Sequence, residues 1–246
     1  MDNTLLVSLS HQLAAYRSMD VIANNLANAD TPAFKRESAT FEEFVAQVAP
    51  AEGESGPQQV SFVKDAGTAR DLTQGHAQTT NAPFDVAING KGYFTVQGAD
   101  GTTHYTRNGH FTLDGEGRIV TEDGDALQGD GGDITIASDD GDIHIAQDGT
   151  VSGVKGQIGK LKLVDFADDS ALQKQGSSLY STDQSPQDVE TPSLHQGMLE
   201  ASNVQPVVEI SHMIDVMRAY QASANLSQSQ EDLMRNAIDK ISEAPN

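Results

Sequence analysis

The sequence predicts an α+β chain: long N- and C-terminal helices form a coiled-coil domain, and an all-β domain is inserted between them. Three observations predict it. Residues 3–29 carry Leu6, Leu9, Leu13 and Tyr16 at helical spacing, and Met19, Ala23 and Leu26 continue the stripe. Residues 206–242 carry Ile210, Met213, Ile214, Met217 and Tyr220, then Leu226, Leu233, Ala237 and Ile241. Between these ends, short alternating apolar runs recur, separated by Asn-Gly and Asp-Gly dipeptides.

The two helices would be rods of roughly 40 and 55 Å at ~1.5 Å per residue. Neither stripe can stay in water, and a lone helical hairpin has little inside. Both ends are therefore expected to pair and then pack against copies or relatives of the chain. The predicted organisation is residues 1–35 as the N-terminal helix of an inner domain, 36–75 as a connecting segment, 76–185 as the all-β outer domain, and 186–246 as a return segment and C-terminal helix.

Asp2 or Asn3 can cap the first helix, and Asn28, Asp30 and Pro32 mark its end. Asn24, Asn25 and Asn28 are poor helix formers in its last turns. They fit either a fraying end or amides that hydrogen-bond to a neighbouring helix and fix register. Residues 33–48, with Phe34, Phe41, Phe44, Val45 and Val48, read as a docked segment or short helix. Residues 50–57 have the composition of an exposed loop.

From Val60 to about Tyr180 the apolar runs include 84–88, 93–96, 104–107, 111–113, 119–120, 134–136, 143–145 and 159–164. Asn89-Gly90, Asp100-Gly101, Asn108-Gly109, Asp114-Gly115, Asp123-Gly124 and Asp148-Gly149 supply turn signals between them. A sandwich or rolled barrel follows, with a protease-resistant centre of about residues 60–190. Pro192 and Pro186 lie in the return segment, and Pro206 sits where a first helical turn tolerates proline.

Composition narrows the function. The net charge is −21, which argues against nucleic acid and anionic membrane as partners. Cysteine is absent, so disulfides, zinc thiolate sites and a cysteine nucleophile are excluded. No run of ~18 apolar residues predicts a membrane helix, and the first residues do not read as a cleaved secretory signal. Residues 121–150 hold nine Asp and Glu and no Lys or Arg, without the ligand spacing of a calcium loop. They read as turns with a solvated acidic face. His104 and His110 flank a turn but make no recognised metal pattern, and His11 and His212 read as packing or surface residues. No nucleophile elbow, phosphate loop or dinucleotide fingerprint is present. No catalytic residue, cofactor or metal is expected.

Met19-Asp-Val-Ile-Ala-Asn-Asn-Leu-Ala-Asn-Ala-Asp-Thr-Pro-Ala-Phe-Lys35 resembles the N-terminal signature of the bacterial flagellar rod and hook proteins. Gly197-Met-Leu-Glu-Ala-Ser-Asn-Val204 and Met217-Arg-Ala-Tyr-Gln221 resemble their C-terminal signature. Residues 87–94 and 105–114 resemble segments of their β-domain. The opening ten residues and the tract 130–136 resemble the proximal-rod branch, with the distal-rod branch as the nearest alternative. One departure is Thr31-Pro-Ala-Phe-Lys35, where the family often has glycine in place of Ala33; this leaves the geometry of that turn open.

The resemblance implies a non-enzymatic structural subunit of the rod, assembling with itself and other rod subunits and carrying torque in the flagellar basal body. It implies export by the flagellar type III apparatus, without a cleaved signal, into a rod crossing the periplasm. It implies an assembly interface drawn from Leu6, Leu9, Leu13, Tyr16, Met19, Asn24, Asn25, Leu26, Asn28, Asn203, Ile210, Ile214, Met217, Tyr220, Leu226 and Leu233. Phe41-Glu-Glu-Phe-Val45 resembles the export-gate motif of such subunits, with Phe41 and Val45 as its apolar anchors; packing of a connecting helix accounts for the same residues. A secreted acidic binding module and an enzyme using the β-domain are the rival classes.

Overall fold

Two long helices flank a β-rich middle in the computed structural model, which describes residues 2–48, 58–176 and 178–242. The expected loop at 50–57 lies outside the described residues, as do the side chains of Ala237 and Ile241. The chain divides into two compact units, one of residues 1–27, 37–71 and 205–246, the other of residues 28–36 and 72–204.

In the first unit, α1 spans Asp2–Ala27 and α2 spans Pro206–Ser242. Proline opens α2 because its missing N–H would be an orphan there, and the Gln205 carbonyl accepts from the Val208 and Glu209 amides. The helices meet through small polar side chains. Ser8 Oγ donates to the Ser223 carbonyl at 3.0 Å and lies 2.7 Å from Ser227 Oγ; Gln12 Nε2 donates to Ser227 Oγ at 3.2 Å. The half-buried positions of α2 include Met213, Val216, Ser223, Ser227, Gln230 and Met234, all on a single seam of 3–4 spacing.

The same unit holds a long antiparallel ribbon of β1, Glu37–Val48, and β2, Gln58–Arg70. Its register runs from Glu37 opposite Arg70 to Val48 opposite Gln58, with a bulge between Thr40 and Phe41. Residues 37–48 are therefore a strand, not the docked segment or short helix their composition suggests. An isolated two-stranded ribbon is marginal in water. Here α1 supports β2, with Arg17 Nε 3.2 Å from the Asp65 carboxylate.

The second unit is built around β5. Four of its strands are β3, Ala77–Thr79; β4, Val86–Ile88; β5, Tyr93–Gln97; and β6, Thr103–Thr106. One edge of β5 pairs with β6, and the other is shared by Ala126–Gly129 and Leu163–Asp165. Alternation along β5 fills two cores. Phe94 and Val96 enter the larger, with Ile88, Ile119, Leu127 and Val151. Tyr93 joins Tyr105, Phe166 and Tyr180 in a smaller aromatic one, where Tyr105 and Phe166 meet edge to face at 4.8 Å. Gly90, Gly101, Gly124 and Gly149 adopt the positive φ that their dipeptides suggest. Gly109 does not; it is required because a Cβ would lie 1.7 Å from the Val86 carbonyl oxygen.

The flanking segments complete this unit. Leu194–Gln196 pairs with β4 and Met198–Glu200 with β3. Residues 28–36 and 186–204, read from the sequence as part of the helical domain and its return, cluster with the strands instead. The Thr31–Lys35 turn keeps the geometry suited to glycine: Ala33 is buried at φ 58°.

Candidate functional site

Most residues of the two apolar stripes are exposed, whereas Met213 lies in the half-buried seam. Leu6, Leu9, Leu13 and Tyr16 are exposed on α1, with Leu13 at 62%. On α2, Ile210, Ile214, Met217, Tyr220, Leu226 and Leu233 are exposed, Met217 at 44% and Leu233 at 68%. Met19 and Leu26 are half-buried. The inner face is mixed, with Val21 and Ile22 buried on α1 and Met213, Val216 and Met234 half-buried on α2 beside the serines, so the exposed stripes add apolar surface outside it. His11 and His212 are exposed on the same helices.

The asparagines separate by role. Asn24 is exposed and Asn28 half-buried. Asn25 is fully buried, and its amide acts within the chain: Nδ2 donates to the Glu37 carbonyl at 2.7 Å and to Glu209 Oε2 at 3.2 Å, while Oδ1 accepts from the Glu37 amide at 2.9 Å. Asn25 thus fastens α1 to β1 and α2, so the amide bonds to a neighbouring helix of its own chain rather than fraying. Asn203 acts likewise in the β-rich unit, accepting from the Arg36 amide at 2.7 Å and donating to the Thr73 carbonyl at 3.0 Å. Both join segments within the chain; Asn25 does so fully buried, where an amide must find partners, and Asn203 half-buried.

Phe41 and Val45 lie on β1, four residues apart and therefore on one side of the strand. Phe41 is half-buried, whereas Phe44 and Val45 are exposed. They do not pack a connecting helix, since no helix forms there.

The sequence reading missed a buried ionic centre in the β-rich unit. Glu200 Oε1 accepts from Lys35 Nζ at 2.5 Å and from the Gly75 amide at 3.1 Å; Glu200 Oε2 accepts from Arg107 Nε at 3.0 Å. Lys35 also donates to the Thr73 carbonyl at 2.8 Å, and Arg107 to the carbonyls of Gly92 and Gly90 at 2.9 and 2.8 Å. The backbone follows: the Ala33 amide donates to the Glu200 carbonyl at 2.7 Å. Lys35, Arg107, Gly90, Gly92 and Glu200 come one by one from the stretches that carry the family resemblance. That shared origin was the available signal; residue spacing offered none.

The acidic tract is used locally. Asp140 is buried and accepts from the Ala137 amide at 2.8 Å, and Asp148 accepts from the Thr150 amide and hydroxyl at 3.0 and 2.9 Å. The Thr150 amide, then its hydroxyl, hold the Asp148 carboxyl below the usual range. Asp100, Asp114 and Asp168 are lowered by similar local bonds, with the Thr102 hydroxyl, the Arg118 amide and the Ser170 hydroxyl foremost. The histidines do not converge: His110 Nδ1 lies 2.7 Å from Asp85, and His104 Nε2 lies 2.9 Å from the Thr102 hydroxyl. Among the described residues, no group of three or more His, Asp or Glu is placed to hold a metal.

Three family models match the chain in order. Residues 5–35 match the flagella basal body rod protein model, 87–153 the flagellar hook protein FlgE/F/G D1 domain, and 195–240 the flagellar basal body rod FlgEFG protein C-terminal model. The flagellar basal-body rod protein FlgF of Caulobacter vibrioides is 43% identical over 244 residues, covering 98% of each chain. FlgG of Buchnera aphidicola subsp. Acyrthosiphon pisum is 36% identical, over 89% of this chain and 92% of its own. FlgF of Mesorhizobium japonicum is 31% identical over 92% of each. With the ionic centre and both helices lying inside the matched regions or at their edges, and one relative matching end to end, the chain belongs to the family of flagellar basal-body rod proteins.

Proposed function

We propose that this protein is a structural subunit of the flagellar proximal rod and has no active site. Its helices pack with those of copies and related rod subunits into a coiled-coil inner layer, which carries torque from motor to hook. The observation that carries this reading is the pair of exposed apolar stripes, α1 from Leu6 to Tyr16 and α2 from Ile210 to Leu233. Obligate assemblies bury ~2,000 Å² or more per interface, and repetition of such contacts along the rod gives stiffness. The 43% identity to the FlgF of Caulobacter vibrioides, end to end, against 31% to the FlgG of the same organism, favours the proximal rod; a distal-rod subunit is the second reading, supported by FlgG matches of up to 36% that exceed the 31% to the FlgF of Mesorhizobium japonicum.

Export through the type III apparatus without a cleaved signal belongs to the same proposal, with Phe41 and Val45 as the segment presented to its gate. The rod position across the periplasm follows from that route.

Leu13→Asp and Met217→Asp test the reading. Each would place a charge in the assembled stripe, at a cost of several kcal/mol per subunit. Cells carrying either variant are expected to lose motility while the soluble chain still accumulates. Normal swimming would refute the inner-layer role of the helices.

A further inference from the structure

The face of β5 turned away from the larger core carries a polar groove. Phe94 and Val96 take the core side, so alternation places Thr95 on the other. Tyr105 of β6 stands directly opposite Thr95. Along the other edge of β5, Val96 pairs with Leu127 and Phe94 with Leu163, which sets Gln128 and Lys162 beside Thr95. The Lys162 amide donates to the Gln128 carbonyl at 3.1 Å and holds these two segments together. Thr95, Tyr105, Gln128 and Lys162 line one groove of 330 Å³, together with Gln97 and Thr103.

Thr95 is out of keeping with a purely structural face. The residue is 7% exposed, and its buried hydroxyl has no hydrogen-bond partner among the described residues. Leaving a buried hydroxyl unpaired costs stability, whereas valine would fill the same space without that cost. Packing therefore does not account for the hydroxyl, and an acceptor seated in the groove would.

The lining selects the charge of that acceptor. Lys162 is the one charged side chain among the described lining residues, in a chain of 36 Asp and Glu against 15 Lys and Arg. The acid it meets, Asp188, is 80% exposed and lies 3.8 Å away, beyond hydrogen-bond reach, so the ammonium keeps donors to give. Tyr105 is buried, and burial raises its pKa, so its hydroxyl stays protonated and can donate as well. An ammonium with two hydroxyl donors matches a carboxylate, whose two oxygens only accept. The volume lies at the small end of ligand sites and suits a small molecule.

We propose that this groove binds a small-molecule carboxylate, ion-paired to Lys162 and hydrogen-bonded by the hydroxyls of Thr95 and Tyr105.

The test follows the backbone amides of the full chain by NMR while sodium propionate is added, with sodium chloride at equal ionic strength as reference. The amides of Thr95, Tyr105 and Lys162 are expected to move together and to saturate in the millimolar range. Propionamide, which has the same shape without the charge, should leave them in place. Thr95→Val and Lys162→Gln should each weaken propionate at least tenfold, and Thr95→Val should melt no lower than the parent. Lys162 is half-exposed, so its variant keeps the test decisive if the threonine variant folds poorly. A second arm uses an acetylated dialanine with a free C-terminal carboxylate. No saturable shift with propionate, equal binding of propionamide, undiminished binding by Lys162→Gln, or binding of the peptide alone would overturn the proposal.

Discussion

Lys35 and Glu200 meet at 2.5 Å inside the β-rich unit, although 165 residues separate them in sequence. The pair joins the turn that leaves α1 to the strand that precedes α2. Arg107 brings a third region of chain to the same carboxylate. Breaking one member of such a buried group leaves charge without its compensation, and costs ~3–5 kcal/mol. Lys35→Met is therefore expected to lower unfolding stability by about that amount in urea. A change below ~1 kcal/mol would deny the centre its role in stability.

The same geometry redefines the autonomous core. The fragment of residues 60–190, suggested by sequence, omits Lys35, Glu200 and the strands Leu194–Gln196 and Met198–Glu200. A fragment of residues 28–204 contains the complete β-rich unit. It is expected to unfold cooperatively, whereas 60–190 should lack a sharp transition. Equal cooperativity in calorimetry would contradict this division.

Ala33 provides a sharper local test. Its φ of 58° costs a residue with a side chain ~1–2 kcal/mol, partly offset in glycine by greater chain entropy. The methyl group is buried, which trims the gain further. Ala33→Gly is expected to stabilise by up to ~1 kcal/mol in denaturant unfolding. A loss of that size would show that the methyl's packing outweighs the backbone strain.

Acid should weaken the β-rich unit. The carboxyls of Asp100, Asp114, Asp148 and Asp168 are all lowered in the folded chain. A lowered group contributes stability above its unfolded value, ~3.9 for aspartate, and loses it as pH falls through the folded value. The melting temperature is expected to hold near neutral pH and fall below about pH 4. Replacing these aspartates with asparagine should flatten that acid limb; an unchanged limb would assign it to other groups.

Helix limits were legible because the stripes and Pro206 act locally, although Asp2 and Asn3, read as caps, lie inside α1. The ribbon was not: Phe41, Phe44, Val45 and Val48 do not alternate, so Glu37–Val48 lacks the period of a half-buried strand. Its pairing depends on Gln58–Arg70 and on support from α1. An asparagine near a helix end suggested an amide that bonds to a neighbouring helix, and the fold identifies Glu209 of α2 and the Glu37 backbone as the partners of Asn25. The ionic centre was invisible for a related reason. Lys35, Arg107 and Glu200 are single charges in separate stretches, and only closure of the chain brings them together.

The central claim is that the stripes on α1 and α2 are open in the free subunit and covered in the rod. The chain has no cysteine, so Leu13→Cys introduces a single thiol on the α1 stripe. Maleimide labelling of that thiol should be rapid in the purified subunit and suppressed at least tenfold in isolated basal bodies. Equal labelling in both would contradict the account, because the stripe would then face water in the finished rod.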